Sequence, residues 1–219
     1  LDSNGDADYT FYKEEPLAAT DYSMPEFIDR DYFLFGSYYS ICPGLRPQVK
    51  DILHAAHRAG TVIYYDINFR RSHIHQKQEL LPVIQENCRL SSIVRGSADD
   101  FDILFGTRDP EEIYRKHISP FCPIFICTAG AGHIFICTPK GTYDFIVPQI
   151  PANEIVSTVG AGDSFNAGFL CAMHRQAICK ADLADMSHNQ WKLLVEHGIK
   201  YSSQVCRSQD NYIKPLSDK

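Results

Sequence analysis

The chain has 219 residues, 44% hydrophobic and 22% charged, the balance of a globular protein long enough for one large domain or two small ones. Its net charge of −6 argues against a nucleic-acid surface, which selects basic patches, and no apolar run approaches the roughly 20 residues of a membrane helix. The eight cysteines (Cys42, Cys88, Cys122, Cys127, Cys137, Cys171, Cys179 and Cys206) have irregular spacings and no C-x-x-C pair. They read as free thiols in a reduced, cytoplasmic setting.

The chain opens "LDSNGDADYTFY". Asn4-Gly5 is a hairpin turn signal, and Ala7, Tyr9 and Phe11 alternate with Asp8, Thr10 and Tyr12 as on a half-buried strand. The first arm is only Leu1 to Ser3. That predicts a chain beginning in mid-fold, with an N-terminal segment of the natural protein missing. A Pro- and acid-containing connection follows to Arg30, so residues 1–30 and 31–219 form separate units. "YFLFGSYY" predicts a buried strand. "PQVKDILHAAHRAG" predicts a helix with Val49, Ile52, Leu53 and Ala56 on one face and Gly60 as its stop. "TVIYYDINFR" predicts a buried strand with a polar end. A helix follows from Lys77 to Cys88, marred by Pro82.

"SSIVRGS" predicts a short strand and "SADDFDILFG" a short helix. "DPEEIYRKH" predicts a helix capped by Asp109 with Pro110 at its first position. "PIFICT", "HIFICT" and "TYDFIV" are three further strands, and a last helix runs from about Asn189 to Val205. Strands alternating with helices predict a largely parallel sheet with helices on both faces. Ligands of such sheets bind at the carboxyl ends of the strands. The polar clusters at those ends are "DINFR", "RGSADD", "TAGAG" and "STVGAGD".

In "STVGAGDSFNAGFL", Gly160 and Gly162 allow a tight turn and close approach of a ligand. The helix that follows has Phe165 and Phe169 one turn apart and Ala167, Gly168 and Ala172 as small packing positions. The free N–H groups at such a start make an anion site. A Walker loop needs Lys-Ser/Thr where Asp163-Ser164 stands, and the Rossmann fingerprint needs a glycine where Phe165 stands. "TAGAGHIF" fails the Rossmann test at Phe135. Asp163 would repel a phosphate unless it faces an attacking hydroxyl and accepts its proton as general base. Its alternative role is to complement the helix dipole.

"STVGAGDSFNAGF" closely resembles the C-terminal signature of the ribokinase-like (phosphofructokinase B type) carbohydrate kinases. "YYDINFR" resembles the Asp-x-Asn-x-Arg segment of that family's fructokinase and ketodeoxygluconokinase branches. "VRGSADDFDILFG" resembles the segment carrying Asn-x-x-Glu, and "FICTAGAGHIF" the strand and nucleotide loop. The four motifs stand in the family's order. The opening residues look like a strand of its β lid. The resemblance implies a three-layer α/β sandwich with a remnant of that lid, and transfer of the γ-phosphoryl group of ATP, with Mg²⁺, to a sugar hydroxyl. Asp163 would be the catalytic base. Gly160, Ala161 and Gly162, with the N–H of Asp163, would form the anion hole. Thr128, Gly130 and Gly132 would lie along the nucleotide, with Ser97 beside it. Asp100 would act on Mg²⁺ through water, and Arg70 with Asn68 would lie near the substrate.

The sequence departs from the pattern at several places. Ser97 and Asp100 replace Asn and Glu, and together they also read as a capping box. Ser157 replaces an acid that helps hold a monovalent cation in some members, so a potassium site is not implied. The C-terminal "YSSQVCRSQDNYIKP" lacks the family's adenine-side pattern. His73 and His75 in "SHIHQ" read as exposed loop residues rather than metal ligands. Fructose or a related ketose is the first substrate reading, with a 2-keto-3-deoxygluconate-type acid next. The alternative is a nucleotide-binding remnant without turnover. A homodimer would fit a strand-built lid.

Overall fold

In a computed structural model, the described residues are 22–130 and 132–213. The opening hairpin therefore lies outside them. Six strands form one sheet in the order β1 (Tyr32–Gly36), β2 (Val62–Asp66), β3 (Ile93–Ser97), β4 (Phe125–Ala129), β5 (His133–Thr138) and β6 (Gly141–Ile146). The first four pair in parallel and the last three in antiparallel fashion. The helices are α1 (Arg46–Arg58), α2 (Lys77–Leu90), α3 (Ala98–Phe105), α4 (Pro110–Ile113), α5 (Ala161–Arg175) and α6 (His188–Cys206).

Alternation along the strands sorts the core into two faces. All five residues of β2 are buried. Val62 and Tyr64 join Phe165, Phe169, Trp191 and Leu194 of α5 and α6 on one face. Ile63 packs on Leu53 and Ala56 of α1, and Tyr65 joins Ile84 of α2 and Phe101 of α3 on the other. The expected layers are thus present, with α1 to α4 on one side and α5 and α6 on the second.

Several expectations are corrected. β1 is not buried: among the described residues it lies at the sheet edge, with Leu34 41% exposed. Its Phe35 instead stacks on Tyr65 at 4.6 Å. Ala167 faces solvent rather than a packing partner. The run after Asp109 is α-helical for four residues and then widens into a π turn over Tyr114–Ile118. α2 retains Pro82 inside it, on an exposed position. As expected, all eight cysteines are free thiols, five of them buried.

α5 and α6 pack through glycines. A Cβ at Gly168 would stand 2.6 Å from the carbonyl oxygen of His197, and one at Gly198 would meet the Phe165 ring at 2.5 Å. Backbone cannot yield as a side-chain tip can. Gly168→Ala should force the helices apart and cost about 1–3 kcal/mol, read from denaturant unfolding.

α1 and α2 are clasped by charge. Glu86 receives Arg46 at 2.7 Å and Lys50 at 2.9 Å. Hydrogen bonds from Lys50 and Arg46 hold its carboxyl at about 2, below the ordinary 4.5. A depressed carboxyl pKa contributes stability above the unfolded value, lost as pH falls toward the folded one. Glu86→Gln should therefore flatten the acid limb of the stability profile between pH 4.5 and about 2. Thermal melts across that range measure it.

Candidate active site

The carboxyl ends of β2, β3 and β4 and the start of α5 meet at one place. Parallel register sets Asp66 of β2 directly beside Arg95 of β3, and Ser97 beside Thr128 of β4. Tyr64, Asp66, Arg95 and Thr128 all project toward α5. Arg95 Nη1 donates to both Asp66 oxygens at 3.1 and 3.0 Å, and Nη2 donates to Thr128 Oγ1 at 2.9 Å. Asn166 of α5 donates to Asp66 Oδ2 at 2.6 Å and accepts from the Tyr64 hydroxyl at 3.0 Å. Arg95, Asp66 and Asn166 are all buried. Burial pulls the Arg95 pKa down, but Asp66 and its other anionic neighbours outweigh that, leaving it raised and the guanidinium charged. Burial pushes the Tyr64 hydroxyl well above its ordinary range, so it stays a donor.

The α5 start rests on this network. Its N-cap is Gly160 at φ 81°, in the left-handed region that favours glycine. A side chain there would also meet the Asn211 carbonyl oxygen at 2.7 Å. The Ala161 amide turns back to the Thr158 carbonyl at 3.2 Å, and the first i→i−4 bond runs from Ser164 to Gly160 at 2.9 Å. The amides of Gly162 and Asp163 precede that bond and are the ones a helix start presents. Gly162 and Asn166, four residues apart, share the buried face. Asp163, one residue on, turns about 100° away and is exposed. The first turn thus offers N–H groups and a solvent-facing carboxylate together. Ser157, preceding it, accepts from the Val159 amide at 3.2 Å, closing a local turn.

The other sequence candidates surround this point. Ser97 is the N-cap of α3. Its hydroxyl accepts from the Asp100 amide, while Asp100 Oδ2 accepts from the Ser97 amide and hydroxyl, each at 2.7 Å. The capping box is therefore formed. Burial pushes the Asp100 carboxyl above its ordinary value, against the lowering pull of Ser97. Gly130 (φ 59°) and Gly132 belong to the β4–β5 hairpin, with the Gly132 amide donating to Ala129 at 3.2 Å. A hairpin has no helix start, which is why that loop matches no strand-to-helix phosphate motif.

Asn68 (φ 41°) donates to Ser37 Oγ at 3.0 Å, and Ser37 itself has φ 56°. Two strained residues hold the ends of β1 and β2 together, and Arg70 lies exposed just beyond. His73 is not an exposed loop residue. It is buried in a short 3-10 helix and stacked on Tyr38 at 4.3 Å. Among the described residues no group of three or more His, Cys, Asp and Glu could hold a metal ion. A cavity of about 350 Å³ lined by Tyr38, Arg46, Glu79 and Leu80 contains none of the site residues.

Sequence reasoning missed Arg95 and Asn166 and gave Asp66 no role. The available signal was a charged residue inside an apolar strand, since such a residue is buried only when paired.

Aminoimidazole riboside kinase of Salmonella typhimurium is 29% identical over 185 residues, covering 80% of this chain and 54% of that protein. The 2-dehydro-3-deoxygluconokinase of Escherichia coli K12 is 25% identical over 179 residues, covering 77% of this chain and 58% of that protein. The chain thus spans little more than half the length of these relatives. The solved structure of a fructokinase double mutant from Vibrio cholerae O395, bound to fructose, ADP and potassium ion, has a TM-score of 0.70 at 21% identity. It covers 86% of this chain and 58% of that one, and it shows the shared fold. No helix among the described residues is long and apolar enough to cross a membrane. The pfkB family carbohydrate kinase model matches residues 2–209, strand ends and glycine turn included, and the chain belongs to that family.

Proposed function

We propose that this chain carries the phosphotransfer site of an ATP-dependent carbohydrate kinase. The observation that supports the reading most is the α5 start, where unbonded-end amides and the exposed Asp163 carboxylate share one turn. In this reading Asp163 takes the proton of the attacking sugar hydroxyl. The amides around Gly160, Ala161, Gly162 and Asp163 hold the oxygens of the transferring phosphoryl group, and the helix dipole adds to them. Ala161 is the weakest contributor, because its amide is directed at Thr158. Thr128, Gly130 and Gly132 line the nucleotide side with Ser97, and positioning supplies much of the rate.

Magnesium enters such sites with nucleotide phosphates and several waters, and needs one or two carboxylates rather than a cage. Asp100 would suit that role through its second oxygen, since both Ser97 bonds go to Oδ2. When bound, the ion neutralises phosphate charge.

Arg70, with Asn68 held by Ser37, forms the substrate side. Fructose or a related ketose is the proposed substrate. An exposed Arg70 equally suits the carboxylate of a ketodeoxy sugar acid, the class named for the Escherichia coli relative. ADP release over a panel of fructose, 2-keto-3-deoxygluconate and aminoimidazole riboside tests this. Sugar-dependent release is expected, highest with the true substrate. Tight ATP binding with no release on any sugar would instead favour a binding remnant.

A further inference from the structure

We propose that Arg95 is a positioning residue that sets the height and angle of the α5 start, and through it the Gly162 and Asp163 amides. The inference rests on the phosphotransfer reading for its kinetic consequence but not for its structural one.

Three contacts fix the guanidinium. Nη1 spans both oxygens of Asp66 on β2, and Nη2 reaches Thr128 on β4. The plane of the fork therefore bridges three neighbouring strand ends. Gly162 sits on it: a Cβ there would lie 3.3 Å from Nη1 and 3.4 Å from Nη2. The first turn of α5 thus rests on the guanidinium with no side chain between. One helical turn later, Asn166 donates to the same Asp66 oxygen face that Arg95 occupies. Gly162 and Asn166 are the two points where the buried face of α5 meets the strand ends, and Arg95 and Asp66 receive both.

The third guanidinium nitrogen sharpens the point. Nε is buried and has no hydrogen-bond partner. A buried donor left unmatched calls for a reason. The side chain is placed where its fork meets Asp66, Thr128 and Gly162 rather than where all its donors are matched. A lysine could not reproduce this, because one ammonium cannot span Asp66 and Thr128 in a plane. It would keep the charge beside Asp66 but leave Gly162 without its floor.

Hydrogen exchange on the unliganded chain tests the structural claim. In Arg95→Lys, the hydrogen-bonded amides of this turn, Ala161, Ser164, Phe165 and Asn166, should exchange on the order of tenfold faster than in the wild type, with α1 unchanged. If Arg95→Lys does not fold, Thr128→Val, which releases Nη2 and keeps the Asp66 pair, decides, with a smaller increase over the same amides. Unchanged exchange at Ala161, Ser164, Phe165 and Asn166 in a folded variant overturns the proposal. The kinetic readout is a split: kcat falls about tenfold or more while the KM for ATP stays within about threefold. A rise in KM alone would show that Arg95 serves nucleotide binding, against the proposal. A wild type without phosphotransfer would defeat the functional reading and leave the exchange result standing.

Discussion

Asp163→Ala should lower kcat roughly 10²- to 10⁴-fold while nucleotide affinity stays within about threefold. The reason is geometric. Asp163 is exposed on the first turn of α5 and makes no part of the buried network below it. Its removal leaves Gly160, Gly162 and Asn166 in place, so the helix start persists. Loss of a dipole-complementing acid alone would cost about 0.3–1 kcal/mol of stability and little rate. Steady-state kinetics beside ATP titration separates the two roles. A variant with normal turnover and a small drop in melting temperature would return Asp163 to helix capping.

Asp66→Ala should be the most damaging single change to the fold. It strips the Arg95 guanidinium of its two carboxylate contacts and Asn166 of its acceptor. An unpaired buried charge costs about 3–5 kcal/mol, a large share of a typical domain's stability. Asp66→Asn keeps an acceptor for Asn166 and should cost less. Urea unfolding of both variants checks the order. Equal and small losses would mean that solvent reaches Arg95 and the network is not sealed.

The sequence makes the architecture legible because strand composition, helix periodicity and glycine stops are local. Val62 to Asp66 reads as a buried strand, and Leu53 with Ala56 as one buried helix face, because each pattern lies within ten residues. The α5 start is legible for the same reason: Gly160, Gly162 and Asp163 are contiguous. What stays hidden depends on register and distance. Asp66 and Arg95 are 29 residues apart and meet only because β2 and β3 pair in one register. Asn166 reaches Asp66 from 100 residues away. The burial of His73 depends on Tyr38, and the edge position of β1 depends on strand order, which hydrophobicity does not encode. Ser97 and Asp100 remain doubly readable, since a formed capping box and a water-mediated metal role use different oxygens.

The central claim is that the α5 start holds the transferring phosphoryl group while Asp163 takes the hydroxyl proton. A crystal structure with MgADP, aluminium fluoride and the sugar that supports turnover tests it most directly. The fluoride group is expected against the amides of Gly162 and Asp163, with the Asp163 carboxylate about 2.6–3.2 Å from the sugar hydroxyl. A fluoride group bound away from the α5 start, or an Asp163 carboxylate turned from the sugar, would contradict it.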